Sequence, residues 1–224
     1  MKPTVGIILS DTAFRRPVGD VGNAASYACP AIFHVARGVT AADMVQAVPN
    51  MDLLETYLQG ALDLQRRGAS VITTTCGFLA ALQKPIADRL DVPFIASSLL
   101  QIPLVSRIAG GRIGIITAND ACLSKAHLAS AGVGDEMPIA ILGLQRHKAF
   151  ADPILNGIGE IDLPEVERCV ATAARQLLLD FPDIKAFVCE CHNLPPFSAA
   201  IERETGKPVF DILTLVGTTL RAAR

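Results

Sequence analysis

Short stretches in which nearly every position is apolar, alternating with amphipathic stretches, set the rhythm of this chain. Residues 4–10 (Thr-Val-Gly-Ile-Ile-Leu-Ser) form a continuous apolar run that suits a strand buried on both faces. Residues 31–36 predict a second strand. Residues 51–67 carry Leu53, Leu54, Tyr57, Leu58, Ala61, Leu62 and Leu64 at helical spacing, with Gly68 as the stop. A strand over 69–75, a helix to residue 90, a short strand at 93–96 and a helix over 99–108 follow. Gly110-Gly111 marks a turn, after which the order starts again. Its elements are a strand at 112–117, a helix at 121–130, a strand at 138–142 and an irregular, partly helical stretch over 143–163. A helix over 163–179 has Pro164 in its first turn. A strand at 184–190, a helix at 195–205 closed by Gly206, a strand at 208–210 and a helix at 212–223 complete the chain. Strands alternating with helices, most of the strands apolar throughout, predict an α/β fold with parallel sheets and right-handed crossovers.

The two halves also resemble each other. Laid over one another without gaps, the segments beginning at Cys76 and Cys191 match at Leu79/Leu194, Ile86/Ile201, Pro93/Pro208 and Leu100/Leu215. Each runs cysteine, helix, proline, short strand, helix, and Val5-Gly-Ile-Ile corresponds to Ile113-Gly-Ile-Ile. We therefore expect an internal duplication. It would give two pseudo-symmetric lobes, each a short, mostly parallel sheet flanked by helices, with the active site in the cleft between them. The first lobe would comprise residues 1–98 plus 209–224 and the second 99–208. The long irregular segment 11–30 follows the C-terminal end of the first strand, where open α/β sheets bind ligands, and reads as a lid.

The repeated feature with chemistry in it is the corner cysteine. Thr75-Cys76-Gly77 and Glu190-Cys191-His192-Asn193 both stand where a strand gives way to a helix. A thiol at a helix start lies among backbone N–H groups that have no intrahelical partner, which favours its thiolate and offers a seat for a carboxylate. Two such corners facing each other would flank a bound acid with a proton acceptor on one face and a proton donor on the other.

These two segments resemble the catalytic motifs of the aspartate/glutamate racemase superfamily. Thr-Thr-Cys76-Gly is similar to the first cysteine of that superfamily, flanked by small or hydroxyl residues. Glu190-Cys191-His192-Asn193 is similar to the second, with His192 in the usual Thr place. The loop Asp11 to Asn23 resembles an uncharacterised branch. The chain departs from glutamate racemases in two places. Leu9-Ser10-Asp11 retains only Ser10 of their Asp-Ser-Gly, and Gly77 stands where Asn follows their first cysteine.

The resemblance implies a cofactor-independent racemase or epimerase of a small carboxylate compound, an amino acid such as aspartate or glutamate. Cys76 and Cys191 would exchange the α-proton, and the enzyme would be a dimer or higher oligomer. Maleate-type cis–trans isomerisation, arylmalonate-type decarboxylation and non-catalytic binding of a small acid are the competing readings.

Around the cysteines, Ser10, Thr75 and Thr117 at strand ends, the backbones of Gly77 and His192, and Asn193 are candidates to bind the substrate carboxylate. Arg15 or Arg16 in the lid would clamp it bidentately. Thr73 and Thr74 read as ordinary strand residues, Asn119 and Asp120 as helix caps. His34, His127 and His147 are given no role. Cys189-x-Cys191-His192 is faintly metal-like, but a closed zinc site needs about four ligands, and no second cluster supplies the rest. No metal or cofactor is expected.

Composition removes other classes. Formal net charge is −2, aromatics make up 5% and Trp is absent, so neither a nucleic-acid footprint nor a membrane-surface patch is expected. The six cysteines are scattered, and the apolar run near the N-terminus is too short for a signal-peptide core. The expectation is a cytoplasmic protein with free thiols.

Overall fold

The computed structural model describes residues 3–12 and 14–223. Residues 1, 2, 13 and 224 lie outside the described residues, and with them the ends of the expected lobe ranges and one position of the expected lid. The strands are β1 (Val5–Ser10), β2 (Ala31–Ala36), β3 (Val71–Thr74), β4 (Phe94–Ile95), β5 (Arg112–Thr117), β6 (Ile139–Gly143), β7 (Ile184–Cys189) and β8 (Val209–Phe210). The helices are α1 (Ala41–Met44), α2 (Leu54–Arg66), α3 (Gln83–Ala87), α4 (Ile102–Ala109), α5 (Lys125–Ser130), α6 (Lys148–Ile154), α7 (Leu163–Asp180), α8 (Ser198–Thr205) and α9 (Ile212–Ala222).

Two four-stranded sheets result, ordered β2-β1-β3-β4 and β6-β5-β7-β8, with every pairing parallel. The first strand of each half is central and the second lies at an edge, so one topology is used twice. On β1, Val5, Ile7 and Ile8 are wholly buried, because the sheet is covered on both faces. On one side lies α2, burying Tyr57, Leu58, Ala61 and Leu64. On the other lies α9, whose Ile212, Val216 and Leu220 cluster with Val5, Ile7, Val71 and Ile95. Each such side chain stabilises the fold by about 1.5–3 kcal/mol. In the second half α7 buries Val166, Val170, Ala173, Ala174 and Leu177 and packs against β5 and β6. The chain crosses back late: β8 still pairs with β7, and α9 returns to the first sheet.

Where the elements differ from expectation, proline and shortness are the reasons. The helix expected after Cys76 is a 3-10 segment, Gly77–Leu82, that passes into α3, where Pro85 lacks the N–H an α-helix needs. Similar 3-10 entries precede α4, with Pro103 near its start, and α8, with Pro195 and Pro196. The helix expected from residue 121 begins at Lys125. The stretch 143–163, expected to be irregular and partly helical, contains α6, with Pro153 inside it. Helix α1 is a single turn, too short to show a period, and is set by the bond from Thr40 N–H to Asp43 Oδ2 at 2.7 Å. No helix among the described residues is long and apolar enough to cross a membrane.

Candidate active site

Both corner cysteines open onto one small cavity, lined also by Ser10, Thr12, Phe14, Arg16, Met44, Val45, Thr75, Gly77, Phe78, Ile154, Leu155, Glu190 and Asn193. Its free volume is about 30 Å³, room for two or so waters. One end is polar and the other apolar.

The polar end is a continuous hydrogen-bonded chain. The Cys191 thiol donates to Asn193 Oδ1 at 3.7 Å, and Asn193 Nδ2 donates to Asp20 Oδ2 at 2.8 Å. Asp20 Oδ1 takes Arg16 Nη1 at 3.0 Å and the Gly22 N–H at 2.7 Å. Arg16 Nη2 donates to Thr12 Oγ1 at 3.0 Å and to Ser10 Oγ at 3.5 Å. The Ser10 and Thr75 hydroxyls lie 3.0 Å apart. The segment 11–30 is thus tied through Asp20 to the second corner, and Arg16 points its guanidinium inward instead of into solvent. The apolar end consists of Phe14, Met44, Val45, Phe78, Ile154 and Leu155.

Both thiols are pushed up from their ordinary pKa, first by burial and then by the neighbouring Glu190 carboxylate. This corrects the expectation that the helix start would draw them down. The backbone N–H groups of Phe78 and Asn193 do favour the thiolates, but two isolated amides at short turns do not offset full desolvation.

Glu190 is the unexpected member. It follows β7 directly and is wholly buried. Its Oε2 accepts from Thr117 Oγ1 at 2.7 Å, whereas Oε1 has no partner among the described residues. Burial pushes its pKa up to about 7 against the opposing Thr117 and Ala118 hydrogen bonds. Gly77 makes room for it: a Cβ there would collide with the Glu190 carbonyl oxygen and Oε1. The glycine that departs from the glutamate racemase pattern is therefore required by a carboxyl group from the other half.

No protein-family model matches the chain. It is 30% identical over 218 residues to a dimethylsulfoniopropionate lyase of Durusdinium sp. clade D, covering 94% of this chain and 71% of that one. It is 27% identical over 230 residues to dimethylsulfoniopropionate lyase 7 of Emiliania huxleyi (98% and 67%), and 28% identical over 229 residues to lyase 6 of the same organism (97% and 59%). The chain belongs to the dimethylsulfoniopropionate lyase family. The expected amino-acid racemase, and the isomerase class with it, is overturned by these relatives, which are named as lyases. The fold itself is that of the aspartate/glutamate racemase superfamily. Arylmalonate decarboxylase (17% identity, TM-score 0.62, 99% of this chain and 93% of that one) shares it, as does the aspartate racemase of Picrophilus torridus (11%, 0.61, 99% and 94%).

Within this member of the lyase family, Ser10, Thr75, Cys76, Gly77, Cys191 and Asn193 meet at the cavity, and Arg15, Thr117 and His192 do not. Arg15 is exposed and borders an outer groove with Glu160 and Leu163; Arg16 lines the cavity instead. Thr117 stands behind Glu190. His192 is wholly buried between the halves, its Nδ1–H on Thr74 O at 2.8 Å and its Nε2 accepting the Ser98 N–H at 3.2 Å. That use of both ring nitrogens makes it a neutral staple, and burial holds its pKa down to about 4. Cys189 points away from the cavity, towards Ser198 and Asp211. No group of three or more His, Cys, Asp or Glu among the described residues is gathered as a metal site.

Asp20, Glu190 and the apolar end were missed from sequence. A charged residue ending an otherwise apolar strand was the available signal for Glu190. Asp20 stands in the loop that carries the resemblance, four residues after its partner Arg16, but its bond to Asn193 spans 173 residues and no local pattern shows it.

Proposed function

We propose that this protein is a cofactor-independent lyase that breaks the carbon–sulfur bond of dimethylsulfoniopropionate by β-elimination. The observation that carries the reading is 30% identity along nearly the whole chain to a lyase of that name, joined to a cavity that holds two thiols and a polar and an apolar end. The substrate class suits the cavity's two ends. The carboxylate would meet Arg16 and the hydroxyls of Ser10, Thr12 and Thr75. The dimethylsulfonio group would lie among Met44, Val45 and Phe78, where the aromatic ring attracts a soft cation; the Phe14 ring is already stacked by the Arg16 guanidinium.

In the reaction a cysteine thiolate removes the proton on the carbon next to the carboxylate. The C–H electron pair becomes the new double bond, the C–S pair leaves on sulfur, and the products are acrylate, neutral dimethyl sulfide and a thiol that later gives its proton to water. We assign the base to Cys191, which is oriented by the chain running through Asn193 and Asp20 to Arg16. Cys76 would border the substrate from the opposite wall. A zwitterion of this size exceeds the free volume of about 30 Å³, so segment 11–30 would act as a lid that moves to admit it and then excludes water.

Purified protein incubated with dimethylsulfoniopropionate is expected to release dimethyl sulfide, read by headspace gas chromatography, and acrylate in equal amount. Neither product from folded protein across pH 6 to 9 would overturn the reading.

A further inference from the structure

We propose that Glu190 is the proton acceptor that generates the cysteine thiolate, so that the carboxyl and the thiol act as one dyad sharing a single proton. The inference rests on the elimination reading for the chemistry the thiolate then performs, but thiolate formation itself is independent of substrate.

The geometry carries it. A buried thiol is a poor base, and something beside it must take its proton. Among the groups bordering the cavity, Arg16 is committed to Asp20, Thr12 and Ser10. Asn193 is committed to Asp20 and Cys191. His192 lies outside the cavity with both nitrogens used. Glu190 alone among them presents a buried oxygen, Oε1, that lacks a partner among the described residues. Oε1 packs against Gly77, next to Cys76, and Glu190 itself precedes Cys191 in the chain, so Glu190 and both cysteines border the same cavity. The charged and titratable groups facing it are Cys76 from the first corner, Cys191 from its own turn and Arg16 across the cavity, with the Thr117 hydroxyl behind.

The transfer balances. Thiol plus carboxylate becomes thiolate plus carboxylic acid, with the proton passing from sulfur to the carboxyl. The cavity carries one negative charge before and after, so the desolvation that opposes either ion alone largely cancels between the two forms. After the thiolate has taken the substrate proton, the dyad holds one proton too many and returns it to solvent as acrylate leaves. A carboxyl that titrates near neutrality is matched to that duty, and burial has moved Glu190 to about 7.

The test is Glu190→Gln, which keeps the shape and the Thr117 hydrogen bond. The readout is the pH dependence of modification by methyl methanethiosulfonate, with Cys76 and Cys191 located by mass spectrometry. Simple electrostatics predicts faster modification in the variant, because removing a neighbouring negative charge favours a thiolate. The dyad predicts the opposite sign: at pH 7.5 the variant reacts at least about tenfold more slowly, because reactivity follows the thiolate fraction. The wild type's limb near pH 7 disappears in the variant, and Glu190→Asp restores it in part. Release of dimethyl sulfide should fall about a hundredfold in kcat with little change in KM. A variant that is modified as fast as wild type or faster, or wild-type cysteines that stay unmodified up to pH 9, overturns the proposal. A variant whose only change is a raised KM also overturns it, and assigns Glu190 to holding the sulfonium. Because the modification assay uses no substrate, its result stands whatever becomes of the lyase reading.

Discussion

The two corners, Thr75-Cys76-Gly77 and Glu190-Cys191-His192-Asn193, occupy the same place in two sheets of the same order, yet their surroundings are unlike. The first corner offers space and hydroxyls: Gly77 has no side chain, and Thr75 pairs with Ser10. The second offers groups that hold protons and charge: Glu190, the His192 staple, and Asn193 linked to Asp20 and Arg16. A racemase must serve both faces of a carbon and gains from two equivalent acid/base groups. An elimination needs one base on one face and a place for the leaving group. The inequality of the corners fits the second demand, and it teaches that a repeated backbone does not imply a repeated role.

Replacing each cysteine in turn is the sharpest way to break that comparison. With Cys191 as base, Cys191→Ser should lower kcat for dimethyl sulfide release by about a thousandfold, since serine is far too weakly acidic to take over. Cys76→Ser should cost no more than about tenfold, roughly 1.4 kcal/mol, the worth of one altered contact. Equal losses at both positions would restore a symmetric two-cysteine device.

The next test cuts the link that makes the second corner special. Asp20 is buried and receives Arg16, Gly22 and Asn193 together. Asp20→Asn leaves one oxygen for these donors and turns an NH₂ group towards another. Removing one partner of a buried pair costs about 3–5 kcal/mol; because Arg16 keeps 11% exposure, we expect the lower end. That is a drop in Tm of about 6–12 °C, with weaker substrate binding as the freed Arg16 swings out of place. An unchanged Tm would show that the lid is not anchored there.

Much of this frame could be read from residues alone, and the reasons are local. The strands around Ile7, Ile72, Ile115 and Val188 are mostly apolar or β-branched because both sheet faces are covered, which is a property of neighbouring positions. The cysteine corners repeat in register, so their pairing was visible as well. What could not be read depends on long-range packing. The buried desolvation that raises both thiols, the choice of Arg16 over Arg15, and the burial of His192 between Thr74 and Ser98 are set by parts of the chain that no local pattern connects. The activity was misjudged for a related reason: a shared scaffold carries several chemistries, and the choice among them lies in a few side chains around the cysteines.

Gly77 tests the space that the first corner provides. Gly77→Ala places a methyl group against the Glu190 carbonyl and carboxyl. Backbone cannot give way as a flexible side chain can, so we expect a loss of about 1–3 kcal/mol, read as a Tm lower by a few degrees, and displacement of Glu190 from the cavity. If Gly77→Ala lowers activity but Glu190→Gln/Gly77→Ala lowers it no further than Glu190→Gln, the glycine acts through the carboxyl. Additive losses would mean that it serves the substrate directly.

The smallest effect, and the one that separates two residues of the second corner by sign, lies in the pH dependence of stability. Glu190 binds its proton more tightly folded than unfolded, its pKa rising from 4.5 to about 7. Its contribution is full below about pH 4.5 and is lost as pH rises through 7. His192 is the reverse, held down from 6.5 to about 4. Its contribution is full above about pH 6.5 and is lost as pH falls through 4. Buried His127, also held down, adds to the second trend, and the lowered carboxyls Asp43, Asp63 and Asp183 act below their ordinary 3.8. Between about pH 5 and 6.5 the titrations of Glu190 and His192 oppose each other, and wild-type stability should be nearly flat. In Glu190→Gln it should rise with pH across that window by about 1 kcal/mol, and in His192→Gln it should fall by a similar amount, both measured by denaturant unfolding at fixed pH. Parallel slopes in the two variants would mean that the carboxyl and the imidazole do not titrate as their burial requires.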